Sequence, residues 1–121
     1  MLLLYSFFVI PPGLDQSTRL CIISYMFELR RTAQFIDWLV NLRDVQARAR
    51  IAKRLDRLVD GNFGDVRSVG GGVSELCFTF GPGYRVYFTV RDRQVVILLC
   101  GGDKQTQSDD IDRAVAMAKE L

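Results

Sequence analysis

Histidine is absent from all 121 residues. That removes every Ser-His-Asp or Cys-His arrangement and the side chain that ordinarily carries protons near neutral pH, so any catalysis must run on other groups. Cysteine is scarce and odd in number: Cys21, Cys77 and Cys100, with no CxxC spacing. Such a set suggests neither a disulfide framework nor a zinc site, so no metal or cofactor is expected and a reducing cytoplasm suits the chain best. Long apolar runs are missing too. The opening "MLLLYSFFVI" is halted by Pro11, Pro12 and Gly13, far short of the roughly 20 residues a membrane-spanning helix needs. No lysine or arginine precedes it and no small-residue cleavage site is clear, which argues against a signal peptide. Strong net charge is also lacking. At +2 overall, any attraction to nucleic acid has to come from a local basic patch rather than from the field of the whole molecule.

What is present is an ordinary globular composition, 49% hydrophobic and 25% charged, suited to one domain with a modest core. Residues 1–25 are unlike the rest and read as an appended segment, upstream of a functional domain covering 26–121. The other reading makes them an extra strand or a partner-binding arm.

From Met26 the pattern becomes regular. "MFELRR" alternates as a short strand does, and Thr32 can cap a helix running to about Leu42, with an apolar stripe of Phe35, Ile36, Leu39 and Val40. Asp44 can cap a second helix, in which Ile51, Leu55, Leu58 and Val59 recur at helical spacing. Arg50, Lys53, Arg54 and Arg57 make a second stripe on that helix: a solvated face, or a surface that grips phosphate. Gly61 supplies a stop. Beyond Gly64 the period falls to two. "DVRSVG", "VSELCFTF" and "YRVYFTVR" read as strands, the last two joined through Gly81, Pro82 and Gly83. "QVVILLC" is apolar at both parities and is expected mid-sheet. The final "TQSDDIDRAVAMAKEL" reads as a helix with Thr106 and Asp109 as a capping box, or Ser108 as the cap. Ile111, Ala114, Val115 and Ala118 form its core face. Elements in blocks imply an α+β fold: a mainly antiparallel sheet with two N-terminal helices and a C-terminal helix.

On the penultimate strand, Tyr84, Val86, Phe88 and Val90 share one face, while Arg85, Tyr87, Thr89 and Arg91 share the other. An arginine there can be solvated or paired with a neighbour such as Glu75. Together with Arg67 on an earlier strand and Lys104 after the last one, however, Arg85 and Tyr87 can converge at one end of the sheet. Such a cluster suits a phosphodiester.

"GDVRSVGGGVSEL", "GPGYRVYF" and "GGDKQTQSDDI", in this order and spacing, resemble the RelE/ParE toxin superfamily, in particular its HigB-like, phage-Gp49-related branch of addiction-module killer proteins. The likeness covers about residues 26–121. It implies a twisted antiparallel sheet carrying two N-terminal helices and a C-terminal helix. It also implies a type II toxin, with a cognate helix-turn-helix antitoxin as partner and mRNA in the ribosomal A site as substrate. The arginine of the family's "GYR" segment falls on Arg85 and implies a contact with the scissile phosphate. The basic residue after the last strand falls on Lys104, and Arg67 is implied as an RNA contact. Where the family usually reads "SELR", this chain reads "SELC", so Cys77 replaces a cation.

RNA supplies its own nucleophile in the 2′-hydroxyl, so a metal-independent endoribonuclease needs only to align it, move protons and stabilise charge on the phosphate. Arg85 offers a planar fork for phosphate oxygens. Lys104 is the better candidate for proton transfer. Tyr87 can stack on a base or supply a hydroxyl, or be ordinary packing; Gln107 can orient RNA or simply occupy the first turn of the last helix. Arg50, Arg54 and Arg57 offer a landing strip for an acidic antitoxin. Two other functions share the fold: a ParE-like inhibitor of DNA gyrase without nuclease activity, and a decayed, non-toxic binding protein.

Overall fold

The computed structural model describes residues 27–121; the expected appended segment and the boundary at Met26 lie outside the described residues. Strand β1 (Glu28–Arg31) leads into helix α1 (Ala33–Val40) and helix α2 (Val45–Val59). Strands β2 (Val66–Gly70), β3 (Val73–Cys77), β4 (Arg85–Arg91) and β5 (Val95–Gly102) follow, and helix α3 (Gln107–Lys119) completes the fold. The strands form one sheet in the order β1-β5-β4-β3-β2. Only the β1–β5 pairing is parallel. The sheet is therefore mixed but mainly antiparallel, and the class is α+β as expected. β5 lies inside the sheet as expected, because β1 pairs along its outer edge, while β4 takes the middle position.

Local chemistry accounts for most element ends. Thr32 accepts a hydrogen bond from the Phe35 amide and Asp44 one from the Ala47 amide, so both expected N-caps form. Gly61, at a φ of 86°, ends the turn after α2. The expected capping box on α3 does not form, since Thr106 makes no side-chain cap bond. Its hydroxyl instead donates to the buried Asp110 carboxylate, while Asp103 Oδ1 receives the amides of Gln105 and Thr106. β3 is shorter than its alternation implied: beyond Cys77 the chain leaves the ladder, and Gly81 and Gly83, both at positive φ, carry it round to Tyr84.

Helices cover both faces of the sheet. On one, Phe35, Ile51, Leu55 and Leu58 pack on Leu76, Val86, Phe88, Val96 and Leu98, with Trp38 and Leu39 at the margin. Each fully buried Leu or Ile here contributes about 1.5–3 kcal/mol. Ile36 and Val40 do not belong to this core as their spacing suggested; they are exposed on the outer side of the short α1. On the other face, Ala114 and Ala118 of α3 pack on Val73, Tyr87, Leu99 and Cys100. A bulge between Tyr87 and Phe88 in the β4–β5 register shifts the phase of β5. Leu98 consequently faces α1 and α2 while Leu99 and Cys100 both serve the second core. β5 is apolar at both parities because both faces are covered, Val96 and Leu98 on one side and Ile97 and Leu99 on the other; the bulge adds Cys100 to the second.

Candidate active site

At one end of the sheet the register sets Arg85 of β4 between Cys77 of β3 and Gly102 of β5, and Arg67 of β2 opposite Glu75. An open groove of about 430 Å³ lies there, lined by Arg67, Cys77, Arg85 and Lys104 with Asp65 and the Gly81–Gly83 turn. The structure thus brings Arg67, Arg85 and Lys104 onto one concave surface. Arg67 and Lys104 are exposed. The Lys104 amide donates to the carbonyl of Pro82, which ties the loop after β5 to the hairpin turn.

Arg85 is only 8% exposed. Its Nη1 donates to the carbonyls of Phe78, Gly83 and Tyr84 at 3.4, 3.2 and 3.2 Å. Its Nε is buried without a hydrogen-bond partner among the described residues, and 3.8 Å from it stands Oε2 of Glu75. Nη1 is therefore a tether and Nε faces Glu75, so Nη2 is the nitrogen left to meet an anion in the groove. Its two N–H donors suit phosphate oxygens.

Two of the expected RNA contacts point elsewhere. Tyr87 is completely buried; it cannot stack on a base, because α3 covers the face of β4 that carries it. Its hydroxyl donates to Glu75 Oε2 at 3.0 Å, and burial, followed by the charge of Glu75, pushes the phenol far above its ordinary value. Gln107, at the start of α3, donates its amide to the same oxygen at 2.7 Å and does not line the groove. Glu75, named from the sequence as a possible partner of Arg85, is 1% exposed and gathers Tyr87 and Gln107 as well, which the sequence did not indicate. Its signal was present: an acid in "VSELC" on the same face as Arg85 and Tyr87. The Cys77 thiol approaches Glu75 Oε1 at 3.4 Å, and burial together with that contact raises its pKa, so it sits at the groove as a neutral thiol.

The basic stripe of α2 divides. Arg50, Lys53 and Arg57 are exposed, with the Arg50 guanidinium 5.0 Å over the Phe80 ring. Arg54 turns inward. It donates to the carbonyls of Cys77, Phe63 and Asp65 at 2.6, 3.3 and 2.8 Å and lies 4.7 Å over the Phe78 ring. Desolvation lowers its pKa. A guanidinium already occupied by three carbonyls is a brace of the fold and not the free antitoxin contact its spacing suggested. The other three line a second shallow groove of about 360 Å³, which meets the first along Asp65, Cys77, Phe78 and Thr79.

The family described as "Phage derived protein Gp49-like (DUF891)" matches residues 37–120, a span that holds all of these groups. The chain belongs to that Gp49-like family. A Haemophilus influenzae protein described as uncharacterized is 47% identical over 94 residues, 78% of this chain and 95% of that protein. Among solved structures, a doubly substituted variant of the E. coli toxin RelE in the free state matches with a TM-score of 0.61 at 17% identity, over 75% of this chain and 96% of that one. This Gp49-like protein therefore has the RelE fold. Among its described residues no helix is long and apolar enough to cross a membrane. Nor do those residues hold a cluster of three or more His, Cys, Asp or Glu side chains that could bind a metal ion.

Proposed function

We propose that this Gp49-like protein is the toxin of a type II toxin-antitoxin pair and acts in the cytoplasm as a metal-independent endoribonuclease on mRNA engaged by the ribosome. The observation that carries this reading is that one open groove is lined by Arg67, Arg85 and Lys104 together. Three cations on one concave surface suit a phosphodiester backbone, and RNA brings its own nucleophile. In the reaction the 2′-oxygen forms a bond to phosphorus, the bond from phosphorus to the 5′-oxygen breaks, and the products are a 2′,3′-cyclic phosphate and a 5′-hydroxyl. The 2′-hydroxyl loses a proton and the leaving oxygen gains one. Arg85, tethered through Nη1, stabilises the charge that develops on the phosphate. Arg67 holds a neighbouring phosphate. Lys104, exposed at the rim, is the group with freedom to move a proton at the leaving oxygen. The cognate antitoxin, a helix-turn-helix protein in this reading, lays acidic side chains against Arg50 and Arg57.

The test is a map of mRNA 5′ ends in bacteria shortly after inducing the full chain, beside an Arg85→Ala control, with ribosome positions recorded in the same cells. New ends at fixed positions within translated codons, absent from the control, support the proposal. Growth arrest with intact mRNA and accumulated gyrase-linked DNA breaks would replace it with a gyrase inhibitor. Continued growth with folded protein present would leave a binding protein without toxicity.

A further inference from the structure

We infer that Glu75 is the positioning residue for Arg85: its buried carboxylate, fixed by Tyr87 and Gln107, holds the inner edge of the guanidinium so that the outer edge meets phosphate. The inference rests on the nuclease reading and adds to it a residue that does not itself reach RNA.

Glu75 is 1% exposed, and a carboxylate taken out of water is costly unless its oxygens are satisfied. Here they are satisfied from two different elements. Tyr87 of β4 and Gln107 of α3 both donate to Oε2, while the Cys77 thiol approaches Oε1. The carboxylate therefore has one attitude. Arg85 faces it with Nε, which is buried and without a hydrogen-bond partner among the described residues, 3.8 Å from Oε2. That spacing leaves attraction without a closed hydrogen bond. Nη1 is held by the carbonyls of Phe78, Gly83 and Tyr84 at the hairpin. A guanidinium fixed between a carboxylate and a set of carbonyls cannot swing, and preorganised donors are the ones that stabilise a transition state. Tyr87 and Gln107 act on Arg85 only through Glu75. Through Gln107, the first residue of α3, the packing of that helix is coupled to the groove.

The experiment combines kinetics with spectroscopy on the full chain. Single-turnover cleavage of mRNA on programmed ribosomes is measured for wild type, Glu75→Gln, Tyr87→Phe and Arg85→Ala, and for the two double variants that contain Arg85→Ala. Glu75→Gln is expected to lower the maximal rate by about tenfold or more while the half-saturating ribosome concentration moves by less than about threefold. Tyr87→Phe is expected to give a smaller loss of the same kind. Neither is expected to lower the rate further in the Arg85→Ala background, because residues acting through one group are not additive. Losses that multiply would overturn the inference and leave the nuclease reading standing.

In parallel, the Arg85 Nε–H signal is followed by ¹⁵N NMR. It is expected to exchange slowly in wild type and in an Asp56→Asn control, and to shift and exchange faster in Glu75→Gln and Tyr87→Phe. A signal indifferent to both substitutions would overturn the inference. If Glu75→Gln does not fold, Tyr87→Phe, which deletes a single oxygen, decides both measurements. If wild type cleaves nothing, the nuclease reading fails, while the NMR result still decides whether Glu75 orients Arg85.

Discussion

Arg54 Nη1 donates to the Cys77 carbonyl at 2.6 Å. A residue of α2 thereby closes the last carbonyl of β3 at the point where the strand stops and the groove begins. The same guanidinium takes the carbonyls of Phe63 and Asp65, so three main-chain acceptors depend on one side chain.

Arg54→Ala is therefore expected to destabilise the protein by about 2–4 kcal/mol, since hydrogen bonds to a charged group contribute about 1.5–3 kcal/mol and the orphaned carbonyls add to the loss. Arg50→Ala and Arg57→Ala, on the exposed side of the same helix, should each cost less than about 1 kcal/mol. Urea denaturation of the three variants checks the order. Equal effects would deny Arg54 its bracing role.

Arg85→Lys keeps the charge but loses the fork. A lysine cannot hold the carbonyls of Phe78, Gly83 and Tyr84 and present two donors to phosphate at once. Cleavage on programmed ribosomes, measured well below each variant's melting temperature, is expected to fall by about tenfold or more, and by about a hundredfold or more for Arg85→Ala. A fully active lysine variant would show that charge alone suffices.

Gly101 of β5 lies under the Trp38 ring, and a Cβ added there would collide with several ring atoms. The clash would push α1 away from the sheet. Gly101→Ala should cost about 1–3 kcal/mol through overpacking, and a Trp38→Leu substitution in the same chain should recover part of it. Calorimetry on the single and double variants checks both statements; strict additivity would place the cause elsewhere.

The second core carries a pH dependence. Burial, then the charge of Asp110, pushes the Cys100 thiol up to about 11 from 9.0. The folded protein holds that proton more tightly than the unfolded chain. Its stabilising effect is thus complete below about pH 9 and disappears as pH rises through about 11. A shift of that size corresponds to roughly 2–3 kcal/mol, and Cys77 and Tyr87 are shifted in the same direction. Melting temperature should fall steadily between pH 9 and 11, and less steeply in Cys100→Ala than in wild type. Parallel slopes would remove Cys100 from the account.

Much of the fold was legible because periodicity is a local property. The change from a helical to an alternating period after Gly64 separated α1 and α2 from the strands. Thr32 and Asp44 marked two helix starts that the structure reproduces. The segments around Arg85 and Lys104 carried enough side-chain identity to indicate a family. Capping of α3 was misread because the Thr106 hydroxyl, expected to accept an amide of the first turn, is turned to donate to the buried Asp110.

Alternation by itself determined which residues share a face of the hairpin: Glu75, Arg85 and Tyr87 on one side, Leu76, Val86 and Phe88 on the other. What covers each face is a question of contacts between residues far apart in the chain, and only the tertiary structure decided it. By closing over Tyr87 and bringing Gln107 to Glu75, α3 turned an apparent RNA-stacking tyrosine into a donor for that carboxylate. By docking α2 beside Cys77, the fold took Arg54 out of an apparently uniform basic stripe. Local pattern specifies the direction of a side chain relative to its own backbone. Burial and partnership depend on which distant element is laid over it.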